Sequence, residues 1–135
     1  MMTLVLNHTI MPAWNHEESA KLFADIFGLP YQGTSGHFAP VQVNEHLSID
    51  FDTDGPSVSR NMKNPEPVPH HHLAFMCDDE EFDTILERVT EHGMKYGSGP
   101  GTTEDMKIAE RNGGRTFYFK DPNGHSYELM TTPLG

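Results

Sequence analysis

Apolar residues in this chain recur with two different periods, and the switch between them happens twice in the same order. Residues 3–11 (TLVLNHTIM) alternate with period two, so a strand is predicted with Leu4, Leu6, His8 and Ile10 on one face. A helical stripe follows. Ala20, Phe23, Ala24 and Phe27 keep three- and four-residue spacing, Asn15 with Glu18 forms a capping pair, and Gly28 with Pro30 ends the run. Residues 31–52 read as three short strands broken at 33–36 and near Asn44, and in the last of them His46, Ser48 and Asp50 oppose Leu47, Ile49 and Phe51. Residues 53–69 are proline-rich and aperiodic, which predicts a linker. Then the pattern restarts: 70–77 is a predicted strand, Asp78 with Glu81 caps a helix with the stripe Phe82, Ile85, Leu86 and Val89, and Gly93 stops it. Residues 94–96 begin another strand, 97–114 form a long polar loop, and 115–120 and 125–131 make a final pair around an Asp-Pro-Asn-Gly turn.

The two halves align by their landmarks. His8 and His72 are 64 residues apart, Gly28 and Gly93 are 65 apart, and so are Tyr31 and Tyr96. Asp50 and Glu128 are 78 apart, an excess that the 97–114 loop accounts for. A β-α-β-β-β unit therefore occurs twice, as module 1 (3–52) and module 2 (70–132). Units too small to close a core alone are expected to pair, which predicts a single α+β domain over residues 1–135.

Charge and composition narrow the partners. Nine Lys and Arg against 20 Asp and Glu give a net charge of −11, which argues against nucleic acid or an anionic membrane surface. The single cysteine, Cys77, excludes an internal disulfide framework. The chain lacks a signal-peptide start and any run of roughly 20 apolar residues, so a cytoplasmic location is expected.

The candidate chemistry sits on the face of each half that points away from its helix stripe. There the first strand carries a histidine and the last a carboxylate. His8, His72 and Glu128 make a two-histidine, one-carboxylate set suited to a divalent metal with open positions, and Asp50 is a possible fourth ligand. Taken one at a time, each also reads as an ordinary hydrogen-bonded histidine or a rim carboxylate; the repeat is what links them. Strand alternation puts Tyr118 and Lys120 on one face and Phe117 and Phe119 on the other, and if the first of these faces the cavity, the Tyr118 hydroxyl can hydrogen-bond or protonate a bound substrate. Lys107, Arg111, Arg115 and Lys120 concentrate positive charge between 107 and 120. They read either as a solvated loop or as a lid presenting cations to an anionic substrate group. His70 and His71 read as bystanders, His125 as a structural turn residue, and Cys77 as a small core residue.

The segments LNHTIMPAW, HHHLAFMCDD and, most specifically, FYFKDPNGHSYELM resemble the vicinal oxygen chelate superfamily of glyoxalases, bleomycin-resistance proteins and extradiol dioxygenases. That resemblance covers nearly the whole chain. It implies a cupped, barrel-like mixed sheet with helices outside, and one divalent ion per site (Ni, Zn, Co, Mn or Fe) on His8, His72 and Glu128. It also implies a homodimer and a small-molecule substrate. Asp50 falls where glyoxalase I has a glutamate. The reaction implied first is that of a glyoxalase-like lyase, isomerase or transferase acting on a metabolite or xenobiotic chelated through vicinal oxygens, with Glu128 and Tyr118 as catalytic groups. The alternatives are an extradiol-type dioxygenase with altered acid/base residues and a non-catalytic bleomycin-resistance-type binder. Ala109, Glu110 and Arg111 occupy the window in which extradiol enzymes carry a histidine.

Overall fold

The computed structural model describes residues 3–53 and 68–134, so nearly all of the predicted linker lies outside the described residues. The chain divides into two compact units between Pro69 and His70. Both are α+β.

In the first unit, β1 (His8–Pro12), α1 (His16–Phe27), β2 (Phe38–Gln42) and β3 (Ser48–Asp52) form a three-stranded sheet of order β1-β3-β2 with one helix. β1 runs parallel to β3, and β2 antiparallel to it. α1 starts where Asn15, in extended conformation, accepts from the Glu18 N–H at 3.0 Å, and ends at Gly28, whose φ of 71° favours glycine. Its buried face, Ala20, Phe23, Ala24 and Ile26, meets Ile49 and Phe51 of β3, with the Phe23 and Phe51 rings 5.6 Å apart. Burying each such phenylalanine contributes about 1.5–3 kcal/mol.

The second unit contains β4 (His72–Met76), α2 (Asp79–Glu91), β5 (Ala109–Arg111), β6 (Gly114–Lys120) and β7 (Ser126–Met130), in the order β4-β7-β6-β5. The Asp78 carboxylate caps α2 by accepting from the Glu81 N–H at 2.8 Å. Phe82 of α2 meets Phe117 of β6 edge-on at 5.0 Å, and Phe117, Phe119 and Tyr127 continue an aromatic row behind the sheet. The Asp-Pro-Asn-Gly turn is organised by Asp121. Its carboxylate accepts from the N–H groups of Asn123 and His125, both at 3.0 Å, and from the Tyr127 hydroxyl at 3.0 Å.

Three boundaries differ from expectation. β1 begins at His8 rather than at residue 3, and Leu4 and Leu6 stand exposed, because β3 starts only at Ser48 and offers earlier residues no partner strand. Of the three strands expected over 31–52, the first, ahead of the break at 33–36, is not formed, and the break itself holds an isolated bridge between Ser35 and Phe38. The strand expected at 94–96 is replaced by a bridge from Gly97 to Tyr118. The edge beside β6 resumes at β5 after an excursion that Asp105 ties together through Ser98 and Lys107.

Candidate active site

The two units place their histidine and carboxylate in the same register. In the first, His8 lies opposite Ser48 and Ile10 opposite Asp50; in the second, His72 lies opposite Ser126 and Ala74 opposite Glu128. Cross-strand partners share a face. One face of the second sheet therefore carries Arg111 from β5, Tyr118 and Lys120 from β6, Ser126 and Glu128 from β7 and His72 from β4. The opposite face carries Phe117, Phe119, Tyr127 and Leu129, all buried behind the sheet.

On the first of these faces four side chains meet. His72 Nε2 lies 3.0 Å from Glu128 Oε1, and Arg111 donates to Glu128 Oε2 at 2.5 Å and to the Tyr118 hydroxyl at 3.1 Å. Glu128 is 6% exposed, so its charge needs partners, and Arg111 supplies one. The hydrogen bond to Glu128, then that to Tyr118, raises the Arg111 pKa above its ordinary value. The ring of His72 meets that of Tyr118 edge-on at 6.2 Å. Ser126 Oγ, beside His72 on the neighbouring strand, is buried without a hydrogen-bond partner among the described residues. Such an orphan marks a place where protein groups alone do not complete the bonding.

This donor set fits a divalent metal. An imidazole nitrogen and a carboxylate oxygen each about 2.1 Å from one ion, on adjacent coordination positions, stand about 3 Å apart. His72 Nε2 and Glu128 Oε1 have that separation. Among the described residues, no group of three or more His, Cys, Asp and Glu side chains is gathered as a metal cluster.

The other expected site residues fall in different surroundings. His8 is exposed, with Nδ1 2.8 Å from Asn7 Oδ1, and Asp50 accepts from the Ser48 hydroxyl at 2.5 Å. Arg115 lies on the helix side of its sheet, bonded to Asp83 at 2.7 Å and Asp79 at 2.9 Å, with its guanidinium over the Phe82 ring. Lys120 lines a surface cleft of about 220 Å³ with Lys95, Glu104 and Asp121, and Lys107 is exposed in the Asp105-tied loop. His71 and His125 make contacts within the fold. His125 is fully buried and accepts the His71 N–H at 3.0 Å, and burial followed by the nearby His125 lowers the His71 pKa. The Cys77 thiol is pushed up to about 11, chiefly by burial.

Two pairings escaped the sequence. His37 Nδ1 stands 2.5 Å from the buried Asp52, at a strand end where alternation breaks down. The other is the Arg111 clamp on Glu128. Its signal was present: Asn112-Gly113 joins β5 to β6 with φ angles of 51° and 75°, the two-residue hairpin turn that Asn-Gly favours.

Comparison with known proteins places the fold in a family. The profile of the Glyoxalase/Bleomycin resistance protein/Dioxygenase superfamily matches residues 5–129. The chain belongs to that superfamily. Among solved structures of the superfamily's fold, it is 36% identical to the oxidase ChaP-H2 with a TM-score of 0.86, over 99% of this chain and 98% of that one. It is 38% identical to the oxidase ChaP-H1 with a TM-score of 0.84, over 98% and 99%. A third superfamily relative, the metallothiol transferase FosB of Lysinibacillus sphaericus (strain C3-41), is 23% identical over 96% of this chain and 83% of its own length. Among the described residues no helix is long and apolar enough to cross a membrane.

Proposed function

We propose that this protein is a metal-dependent oxidase that takes electrons from a small molecule bearing two neighbouring oxygens and passes them to dioxygen. The observation that carries the reading is the His72–Glu128 pair, a nitrogen and an oxygen donor 3.0 Å apart on adjacent strands with Tyr118 and Arg111 beside them. The likeness to two oxidases over essentially the full chain supports oxidation over the other reactions of the superfamily. His72 and Glu128 would hold the ion, with His8 as a third ligand and Asp50 a possible fourth, from the same chain or from a second copy in a homodimer. When bound, the ion supplies Lewis acidity and positions open to substrate oxygens. The protein's own groups do the rest: Tyr118 offers a hydroxyl to a substrate oxygen, Glu128 and Asp50 are carboxylates able to hold a proton, and Lys107 and Lys120 supply cations for an anionic substrate group.

The test is metal content and oxygen uptake. Protein loaded anaerobically with Fe(II) is expected to hold about one ion per chain, to lose it in His72→Ala and Glu128→Ala, and to consume oxygen when given a catechol or a vicinal hydroxyketone. A glyoxalase-like lyase or transferase is the second reading, favoured by the likeness of 96% of this chain to a metallothiol transferase. It predicts turnover without oxygen and activity with Ni, Co, Zn or Mn. Metal content unchanged by His72→Ala would sink both.

A further inference from the structure

Arg111 occupies an unusual place for a cation on a substrate-facing surface. Rather than projecting freely, its guanidinium is spent on two groups of the same face, Glu128 Oε2 at 2.5 Å and the Tyr118 hydroxyl at 3.1 Å. The side chain is 29% exposed and that of Glu128 is 8% exposed, so the pair is shielded enough to be held in one geometry. The backbone that carries Arg111 is fixed as well. The Arg111 carbonyl accepts from the Thr132 hydroxyl at 3.0 Å, Asn112 Nδ2 donates to the Pro133 carbonyl at 3.2 Å, and Arg111 pairs with Gly114 across the hairpin. Gly114 allows that closeness, since a Cβ there would stand 2.5 Å from Thr132 Oγ1 and 2.6 Å from Thr131 Oγ1. The arm that reaches Glu128 is thus mounted on a hairpin strapped to the chain following β7.

A carboxylate can give a metal one oxygen or two. In this face the two oxygens of Glu128 are already divided: Oε1 points to His72, and Oε2 is taken by Arg111. We infer that Arg111 is a positioning residue that restricts Glu128 to binding the metal through Oε1 alone, which keeps one more coordination position open for substrate. The consequence matters for a substrate that chelates through two oxygens. Binding through Oε1 alone, rather than through both oxygens of Glu128, would leave one more position on the ion for an oxygen of the substrate. Arg111 also fills an acceptor position on Tyr118, which leaves the phenol hydrogen to be donated elsewhere on that face.

This inference rests on the metal-site reading above, and Co(II) alone, with no substrate, separates the two. Co(II) is titrated into wild type, Arg111→Met and Arg111→Lys, with metal stoichiometry, the visible absorption band and circular dichroism recorded for each. Arg111→Met keeps the apolar stem and removes every donor, while Arg111→Lys keeps one cation for Oε2. The expected result is about one Co(II) in all three, a visible band weakened about two-fold or more in Arg111→Met as the coordination number rises, and the wild-type band restored in Arg111→Lys. A second readout needs no variant of Arg111. In metal-induced infrared difference spectra of the wild type, the carboxylate bands that vanish in Glu128→Gln should be widely split, as one-oxygen coordination requires. Wild type that takes up no Co(II) overturns the metal-site reading itself. Co(II) bound with the same band in wild type and Arg111→Met, or a narrow infrared splitting, overturns the assignment to Arg111 and leaves the metal site standing.

Discussion

Tyr127 shows how a buried side chain in this chain ties the turn to the sheet and gives stability a pH limit. Its ring is buried and its hydroxyl donates to Asp121 at 3.0 Å, the same carboxylate that accepts the Asn123 and His125 N–H groups. Burial first, then the charge of Asp121, hold its phenol well above the ordinary value of 10.0. Cys77 is raised in the same direction, from 9.0 to about 11. Both groups keep their proton longer when folded. Their contributions are therefore complete below the unfolded values and are lost as rising pH ionises the unfolded chain first. Urea midpoints should be level from pH 7 to the Cys77 reference value of 9.0 and fall above it, with the thiol contributing up to about 11 and the phenol from 10.0 upward. Cys77→Ala should remove the earlier part of the fall. Tyr127→Phe should cost about 1 kcal/mol at pH 8 through the lost hydrogen bond, yet decline less steeply above pH 10. A midpoint that rises with pH in this range would contradict the assignment. Gly124 makes a sharper demand: its φ is 93°, and a Cβ would sit 2.4 Å from His70 Nε2. Gly124→Ala is expected to lower the urea midpoint by an amount worth about 1–3 kcal/mol.

At the scale of elements, both helices begin where a short polar side chain accepts the third residue's N–H, Glu18 for Asn15 and Glu81 for Asp78. Asn15→Ala and Asp78→Ala should each cost about 1 kcal/mol in chemical denaturation, and Asn15→Ser should restore most of the first loss. These caps were legible in the sequence because capping is local: three residues decide it. Side-chain parity was legible for the same reason, so the facing of His72, Tyr118 and Glu128 followed from period two alone, as did the burial of Ile49 and Phe51. Strand limits were not, since they depend on a distant partner. Leu4 and Leu6 alternate as well as any strand, but β3 begins at Ser48 and leaves them unmatched. The polar segment 97–114 concealed β5 because alternation is weak there, and only Asn112-Gly113 marked the hairpin. The sequence marks Arg111 as one cation of a run, but that its charge belongs to Glu128 depends on the β5–β6 register. Arg115, four residues on, has the same chemistry and the opposite face, where Asp79 and Asp83 take its charge. Position within a run of cations gave no means of telling the two apart.

At the scale of the whole molecule, the repeat has kept its geometry while its chemistry has diverged. His8 with Asp50 and His72 with Glu128 share one register, yet Asp50 is held by the Ser48 hydroxyl and Glu128 by Arg111, while the hydroxyl of Ser126, the counterpart of Ser48, has no hydrogen-bond partner among the described residues. If His8 is a metal ligand, as proposed, metal binding must stabilise the first unit and not only the second, which supplies His72 and Glu128. The sequence provides the reporter, because the single tryptophan, Trp14, belongs to the first unit. A ligand that binds only the folded state at 100 times its Kd stabilises by about 2.7 kcal/mol, which moves the melting temperature of a chain of this size by about 10 °C. Trp14 fluorescence should therefore melt about 10 °C higher with saturating Co(II) than with a chelator present. In His8→Ala the rise should shrink at equal metal concentration, since loss of one ligand raises Kd. His46→Ala, which removes an exposed histidine ring lying 3.0 Å from Glu45, should leave it unchanged. A full rise in His8→Ala would remove His8 from the ligand set.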